Sequence, residues 1–191
     1  MNLGAVDTCH CMGAGISQAA GFYHAYAQDG GEWPTIVATI GDSTFFHSGI
    51  PALLNAVTQG ARFILVILDN ATTAMTGHQP TPEQGITASG EPCRPAHIQD
   101  LVRAVGVSFL EAVDAYNLGA MAGALRAADR YCRSEAGGVA VLIAASPCVL
   151  HEKTPRAVGR VRVTEECTGC EIWFLAVGDH LDAAGRHVAQ S

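Results

Sequence analysis

The sequence predicts an α/β fold, a parallel sheet flanked by helices. Three observations carry that prediction. Apolar runs rich in β-branched residues recur at Thr35–Ile40, Phe63–Leu68 and 138–144. Segments with helical spacing alternate with them, and α-then-β alternation is the pattern of parallel strands joined by right-handed crossovers. Two of the runs end in polar groups, Gly41-Asp42-Ser43 and Asp69-Asn70. Those are the carboxyl ends of strands, where open α/β sheets hold their ligands.

The elements follow in order. Met12 to Gln28 reads as a helix rich in Ala and Gly, ended by Asp29-Gly30-Gly31, and its small residues permit close approach of a neighbour. A strand is expected over 35–40, then the Gly41-Asp42-Ser43 turn. A helix from about Ser48 to Thr58 carries Ile50, Leu53, Leu54 and Val57 on one face, with Pro51 suited to its first turn. A strand returns over 62–68. From Asn70 to Pro95 no regular element fits, because Pro80, Pro82, Pro92 and Pro95 interrupt it, and connections of this length tend to be functional loops. A short helix near His97–Val105, a strand at Ser108–Val113, a helix at Asn117–Ser134 and a strand at 138–144 complete the sheet. Composition shifts at Pro147. The expected organisation is therefore a cofactor-binding domain over 1–150 and a linker with an irregular tail over 151–191.

Composition narrows the function. A hydrophobic fraction of 49% with 15% charged residues describes a chain that builds a core. A net charge of −7 argues against a nucleic-acid partner, which would need a basic face. No apolar stretch is long enough to span a membrane. Met1–Asp7 has neither a basic start nor an apolar core, so a cytoplasmic location is expected. Seven cysteines without regular disulfide spacing read as thiols or metal ligands.

The chemistry concentrates on Asp42 and Asn70. Mg²⁺ takes octahedral oxygen ligands, commonly one or two from protein side chains with the rest from phosphate and water. Asp42 supplies charge, Asn70 a neutral carbonyl, and a main-chain carbonyl near Thr72 a third protein oxygen. Two diphosphate oxygens and a water complete such a shell. Gly41 lets the chain turn sharply after its strand, and the helix after Ser43 offers free N–H groups to a phosphate. Either group alone would be ordinary turn chemistry. The two strands with a helix between them give the pair its meaning.

The spacing resembles the diphosphate-binding signature of thiamine diphosphate enzymes. Three segments extend the likeness: Asp7-Thr-Cys-His-Cys-Met-Gly-Ala-Gly-Ile16, Gly41-Asp-Ser-Thr-Phe-Phe-His-Ser-Gly-Ile50 and Leu68-Asp-Asn-Ala-Thr-Thr-Ala-Met-Thr-Gly-His-Gln-Pro80. Together they resemble the C-terminal thiamine diphosphate-binding domain of the indolepyruvate:ferredoxin oxidoreductase alpha subunit, over residues 3 to about 172. The resemblance implies the thiamine diphosphate-binding fold and oxidative decarboxylation of an aryl 2-oxoacid, with electrons passing to ferredoxin and the acyl group to coenzyme A. It implies that Asp42, Asn70 and the Thr72 carbonyl hold Mg²⁺. His10, Cys11, Met12, Gly13, Ser43, Gly77 and His78 would line the cofactor, with His10 and His78 as catalytic candidates. Cys9 and Cys11 read as structural thiols near the site, and Met75, Phe45 and Phe46 as packing residues.

Three departures from that family matter. The family has a strand and loop upstream of the Asp7-Thr-Cys segment, so the sequence reads as N-terminally truncated. The pyrimidine-binding half, with its activating glutamate, has no counterpart here and would come from another chain, which implies an oligomer. In the tail, the run Cys-x₂-Cys-x₂-Cys-x₃-Cys-Pro of a four-iron cluster survives only as Cys167 and Cys170. Trp173, Val177 and Gly178 replace the rest. Two thiolates do not hold a 4Fe–4S cluster, and the tail reads as a degenerate ferredoxin module. Two other readings stand beside the oxidoreductase: a non-catalytic cofactor-binding remnant, and a subunit of a non-oxidative thiamine diphosphate-dependent decarboxylase.

Overall fold

A computed structural model describes residues 6–30, 32–148 and 150 of the chain. The order of elements is α1 (Gly15–Gln28), β1 (Val37–Gly41), α2 (Asp42–Thr44), a π-turn (Phe45–Gly49), α3 (Ile50–Thr58), β2 (Ile64–Asp69), α4 (Ile98–Ala104), β3 (Phe109–Asp114), α5 (Leu118–Arg133) and β4 (Ala140–Ala145). The four strands form one sheet in the order β1-β2-β4-β3, every neighbouring pair parallel. This is the parallel sheet flanked by helices that the alternation predicts. The register sets Gly41 beside Leu68, and Leu68 beside Ala144, so the tips of β1, β2 and β4 stand level.

Side chains alternate across the sheet as strand geometry requires. One face, with Ala38, Ile40, Leu65, Ile67, Val141 and Ile143, is covered by α1, α3 and α4 through Ile16, Leu53, Ala56, Ile98 and Val102. The other, with Ile64, Val66, Ala140, Leu142 and Ala144, is covered by α5 through Ala124, Ala128 and Cys132. Each fully buried Leu, Ile or Phe contributes about 1.5–3 kcal/mol. Burial pushes the Cys132 thiol up to about 11, so it is protonated and packs as a small apolar group. Helix α5 is closed at both ends by side chains. Asn117 Oδ1 accepts from the Ala120 N–H, and the Arg62 guanidinium donates to the Ser134 carbonyl at 2.7 Å.

Two expectations shift. The helix expected from about Ser48 begins at Asp42, because the chain stays helical from the motif onward through the π-turn. The β1 run is an edge strand: Ala38 and Ile40 are covered, while Val37 and Thr39, on the α5 face beside Ile64 and Val66, stay exposed at the sheet's margin. The tail, with Cys167 and Cys170, lies outside the described residues. Among the described residues, no helix is long and apolar enough to cross a membrane.

Candidate functional site

The site forms at the level strand tips. Strand β1 ends at Gly41 in extended conformation, and the next residue opens a helix, so Asp42 sits at a helix start with its carboxylate over the sheet edge. Asp42 is 3% exposed. Its Oδ1 accepts from the Ser43 N–H at 2.7 Å, while its Oδ2 has no hydrogen-bond partner. Burial pushes this carboxyl above its ordinary value of 3.8. The Ser43 amide pulls it back, the charge of Asp69 adds to the rise, and the amides of Thr72 and Asn70 lower it. The Thr72 and Asn70 amides face the carboxylate without closing a hydrogen bond to Oδ2, which puts Asp42 beside the residues that follow β2.

Strand β2 ends at Asp69, and the chain turns at once. Asp69 Oδ1 accepts from the Ala71 N–H at 3.0 Å, and Asn70 Oδ1 from the Thr72 N–H at 3.1 Å. Ala71 stands at φ +60°, a left-handed conformation that costs an L-residue about 1–2 kcal/mol. Thr72 is buried, and beyond it the loop folds back on itself. The Thr73 N–H donates to the Gln79 carbonyl and the His78 N–H to the Thr73 carbonyl, both at 3.0 Å. Gly77 and His78 carry positive φ within that fold-back.

The first segment meets the same site through Gly13. A Cβ on Gly13 would stand 2.2 Å from Ser48 Oγ and 3.8 Å from Thr44 Cγ2, so the backbone before α1 presses on the helix that Asp42 opens. Cys9, His10, Cys11 and Met12 are exposed on the approach to α1. Phe45 is buried in the core, whereas Met75, expected to pack, is 87% exposed. A cavity of about 300 Å³ opens at Asn70, lined by it with Asp69, Tyr116, Ser146 and Cys148. A larger opening of about 460 Å³ lies at the opposite strand ends, beside Val37 and α5, away from these groups.

The donor set suits a hard cation. A buried carboxylate oxygen without a partner, the Asn70 amide oxygen and the Thr72 carbonyl two residues on, which accepts from the Ala74 N–H and keeps a second lone pair, are oxygen ligands of the kind Mg²⁺ takes. Among the described residues no three His, Cys, Asp or Glu side chains cluster, so a softer metal has no ligand set here. Sequence reasoning missed Asp69, Thr81 and Gln84, which shape the Asn70 turn. Gln84 Nε2 donates to the Ala71 carbonyl from thirteen positions along the chain, and no spacing rule announces that bond.

Comparison with known proteins meets this geometry. Residues 3–144 match the family described as thiamine pyrophosphate enzyme, C-terminal TPP binding domain, thiamine pyrophosphate and thiamine diphosphate being one compound. The chain belongs to that family. Among its relatives is the indolepyruvate oxidoreductase subunit IorA of Archaeoglobus fulgidus, 46% identical over 169 residues, 86% of this chain and 25% of that protein. The IorA of Thermococcus kodakarensis is 36% identical over 192 residues, covering 91% and 28%. This thiamine pyrophosphate-binding domain thus spans about a quarter of the length of the curated relatives it matches. Its fold is that of a 2-oxoglutarate:ferredoxin oxidoreductase from Magnetococcus marinus, with a TM-score of 0.56 at 18% identity over 71% of this chain and 45% of that one. A thiamin diphosphate-dependent enzyme from Mycobacterium smegmatis shares it at a TM-score of 0.52 and 22% identity, over 72% and 22%.

Proposed function

We propose that this chain is the thiamine diphosphate- and Mg²⁺-binding part of an aryl 2-oxoacid:ferredoxin oxidoreductase. Its reaction is oxidative decarboxylation of an indolepyruvate-type substrate to the acyl-CoA, completed by partner domains. Identity of 46% to an indolepyruvate oxidoreductase subunit supports the substrate class. The observation that carries the cofactor assignment is the Asp42 Oδ2, buried and without a partner at the meeting of two strand tips. In the apo chain that oxygen is costly to ionise, and a cation removes the cost.

On this reading Asp42, Asn70 Oδ1 and the Thr72 carbonyl hold Mg²⁺. Ser43 flanks the diphosphate through its side chain, and the helix behind it presents N–H groups, the Ser43 N–H itself being held by Asp42 Oδ1. The bound cofactor supplies the carbanion chemistry of decarboxylation. Gly41, Gly13 and Gly77 admit the close backbone approach, Cys11 and Met12 flank it, and His10 and His78 are the candidates for moving protons at the reacting centre. A pyrimidine-binding domain with its activating glutamate comes from elsewhere in the assembly, as do the contacts for ferredoxin and coenzyme A. The working unit is an oligomer in the cytoplasm. The tail with Cys167 and Cys170 holds no cluster by itself.

Calorimetric titration of the chain with thiamine diphosphate, with and without Mg²⁺, tests the assignment. Tight binding that requires Mg²⁺ and disappears in Asp42→Ala is the expected result. Equal binding by parent and variant would remove the metal site from Asp42. With a partner subunit added, reduction of viologen dependent on indolepyruvate and coenzyme A is expected. Aldehyde release without an electron acceptor would assign the chain to the decarboxylases instead.

A further inference from the structure

Asn70 and Thr72 can serve one cation only if the chain reverses between them, and it does so at Ala71. That residue stands at φ +60°, one of two non-glycine residues among those described with a positive φ. Left-handed geometry carries a penalty of about five- to thirtyfold in equilibrium for an L-residue. Something outside the turn must therefore hold it.

Three hydrogen bonds fix the reversal. Two are internal: Asp69 Oδ1 accepts from the Ala71 N–H and Asn70 Oδ1 from the Thr72 N–H. The second of these competes with the metal, since Asn70 Oδ1 is itself a proposed ligand. The third comes from Gln84, whose Nε2 donates to the Ala71 carbonyl at 2.5 Å. The Gln84 amide is held at its other end as well. Its Oε1 accepts from the Thr81 N–H at 3.2 Å, and the Gln84 main-chain N–H donates to the Thr81 carbonyl at 3.1 Å, with Thr81 2% exposed. The short helical turn Pro82–Gln84 is thus a bracket. It rests on a buried threonine and grips the Ala71–Thr72 peptide, the second of the two peptide units between the proposed ligands.

We infer that Gln84 is a positioning residue for the metal site: it holds the Ala71 peptide so that the Asn70 side chain and the Thr72 carbonyl reach the same Mg²⁺. This rests on the cofactor assignment above. The role needs an amide. A glutamate at 84 keeps the acceptor for the Thr81 N–H but sets a second acceptor against the Ala71 carbonyl, so charge and lone pairs repel where a bond stood. A glycine at 71 takes the left-handed conformation without penalty, so it should make the bracket unnecessary.

The test uses the full chain as parent, Gln84→Glu, and Gln84→Glu combined with Ala71→Gly. Amide hydrogen exchange without ligand reads the turn itself. In Gln84→Glu the Ala71 and Thr72 amides should exchange about three- to tenfold faster, the equivalent of one ordinary hydrogen bond, with β4 amides unchanged. Calorimetry with saturating thiamine diphosphate then reads the Mg²⁺ concentration for half-maximal binding. It should rise by about the same factor in Gln84→Glu and return to within about twofold of the parent in the double variant. Unchanged exchange at Ala71 and Thr72, or a Mg²⁺ requirement equal to the parent's, would overturn the inference while leaving the cofactor assignment intact. A loss that Ala71→Gly does not restore would also overturn it, by giving Gln84 a merely structural role. No binding by the parent at any Mg²⁺ level would overturn the cofactor assignment itself, whatever the exchange rates.

Discussion

Asp42 and Asn70 stand at the tips of neighbouring parallel strands, yet the chain leaves them in opposite ways. After Asp42 it continues without a break as helix to Thr58. After Asn70 it enters a long connection whose only regular pieces are the turns Ala74–Thr76 and Pro82–Gln84, with two isolated bridges, Thr73 to Gln79 and Ile86 to Pro92. The Asp42 backbone is fixed by a helix that packs Phe45, Leu53 and Ala56 into the core. The Asn70 backbone is fixed by single hydrogen bonds, most of them solvent-exposed. On the proposed assignment the charged ligand sits on the rigid half of the site and the neutral one on the adjustable half. The division makes physical sense: a misplaced carboxylate forfeits far more Coulomb energy than a misplaced amide.

The largest effect is expected at the rigid half. Asp42→Asn should abolish Mg²⁺-dependent cofactor binding, a loss of more than about 100-fold, beyond what outer-shell changes produce. It should also stabilise the apo chain at neutral pH. The sign follows from the raised pKa of the folded state against an unfolded value near 3.8. Between those two values the folded chain binds more protons than the unfolded one, so stability rises as pH falls through the window and is lowest where Asp42 is fully ionised. Thermal unfolding of the apo parent and Asp42→Asn across pH reads this directly. The variant should melt higher at pH 7, with the gap narrowing as pH approaches 3.8. A gap that widened on acidification would mean that the buried carboxylate is stabilising, and that a cation has no cost there to relieve.

That rigid half was legible in the sequence. Strand, Gly-Asp-Ser, helix and strand follow from periodicity and turn chemistry, because Asp42 is placed by local structure. Even its error was local: the helix starts at Asp42 rather than near Ser48, since the π-turn breaks the spacing on which the helical pattern depends. The edge position of β1 was not legible, because Val37 and Thr39 look like core residues until the partner strands are known. The loop half was legible only as far as Asn70 and Thr72. What holds them, Gln84 on Ala71 and Gln79 on Thr73, depends on contacts across an irregular segment, where no period exists to be read.

The next effect in size joins the rigid half to α1. Gly13→Ala sets a Cβ into Ser48 Oγ at a residue with φ +88°, and should cost about 1–3 kcal/mol of stability. Adding Ser48→Gly opens the space and should recover the packing part of the loss but not the conformational part. Denaturant midpoints of the two variants separate the terms. A single variant as stable as the parent would show that the approach to α1 yields easily, and that α1 does not belong to the rigid half.

Asn70→Ala comes below both. Losing a neutral ligand should weaken Mg²⁺-dependent binding by about tenfold, roughly 1.4 kcal/mol, and the apo chain should melt lower as well, since the buried Thr72 N–H loses its acceptor. Titration beside Asp42→Asn makes the comparison. Equal losses at the two positions would erase the distinction between a charged anchor and an adjustable neutral ligand.

The smallest effect is the sharpest test of the contrast, because one kind of substitution should act with opposite sign on the two halves. Thr44 lies in the helix just beyond Asp42, and Thr44→Gly frees backbone that the helix must then order again, costing about 0.5–1 kcal/mol. Ala71 pays for its left-handed φ instead. In Ala71→Gly that penalty vanishes, while the unfolded chain gains freedom that folding must remove, a term of about 0.4–1 kcal/mol. Relief of about 1–2 kcal/mol against that loss leaves Ala71→Gly neutral to slightly stabilising. Chemical denaturation of the two variants resolves a difference of this size. If Ala71→Gly lost as much as Thr44→Gly, the left-handed turn would carry no strain for Gln84 to hold, and the loop half would be as firmly built as the helical one.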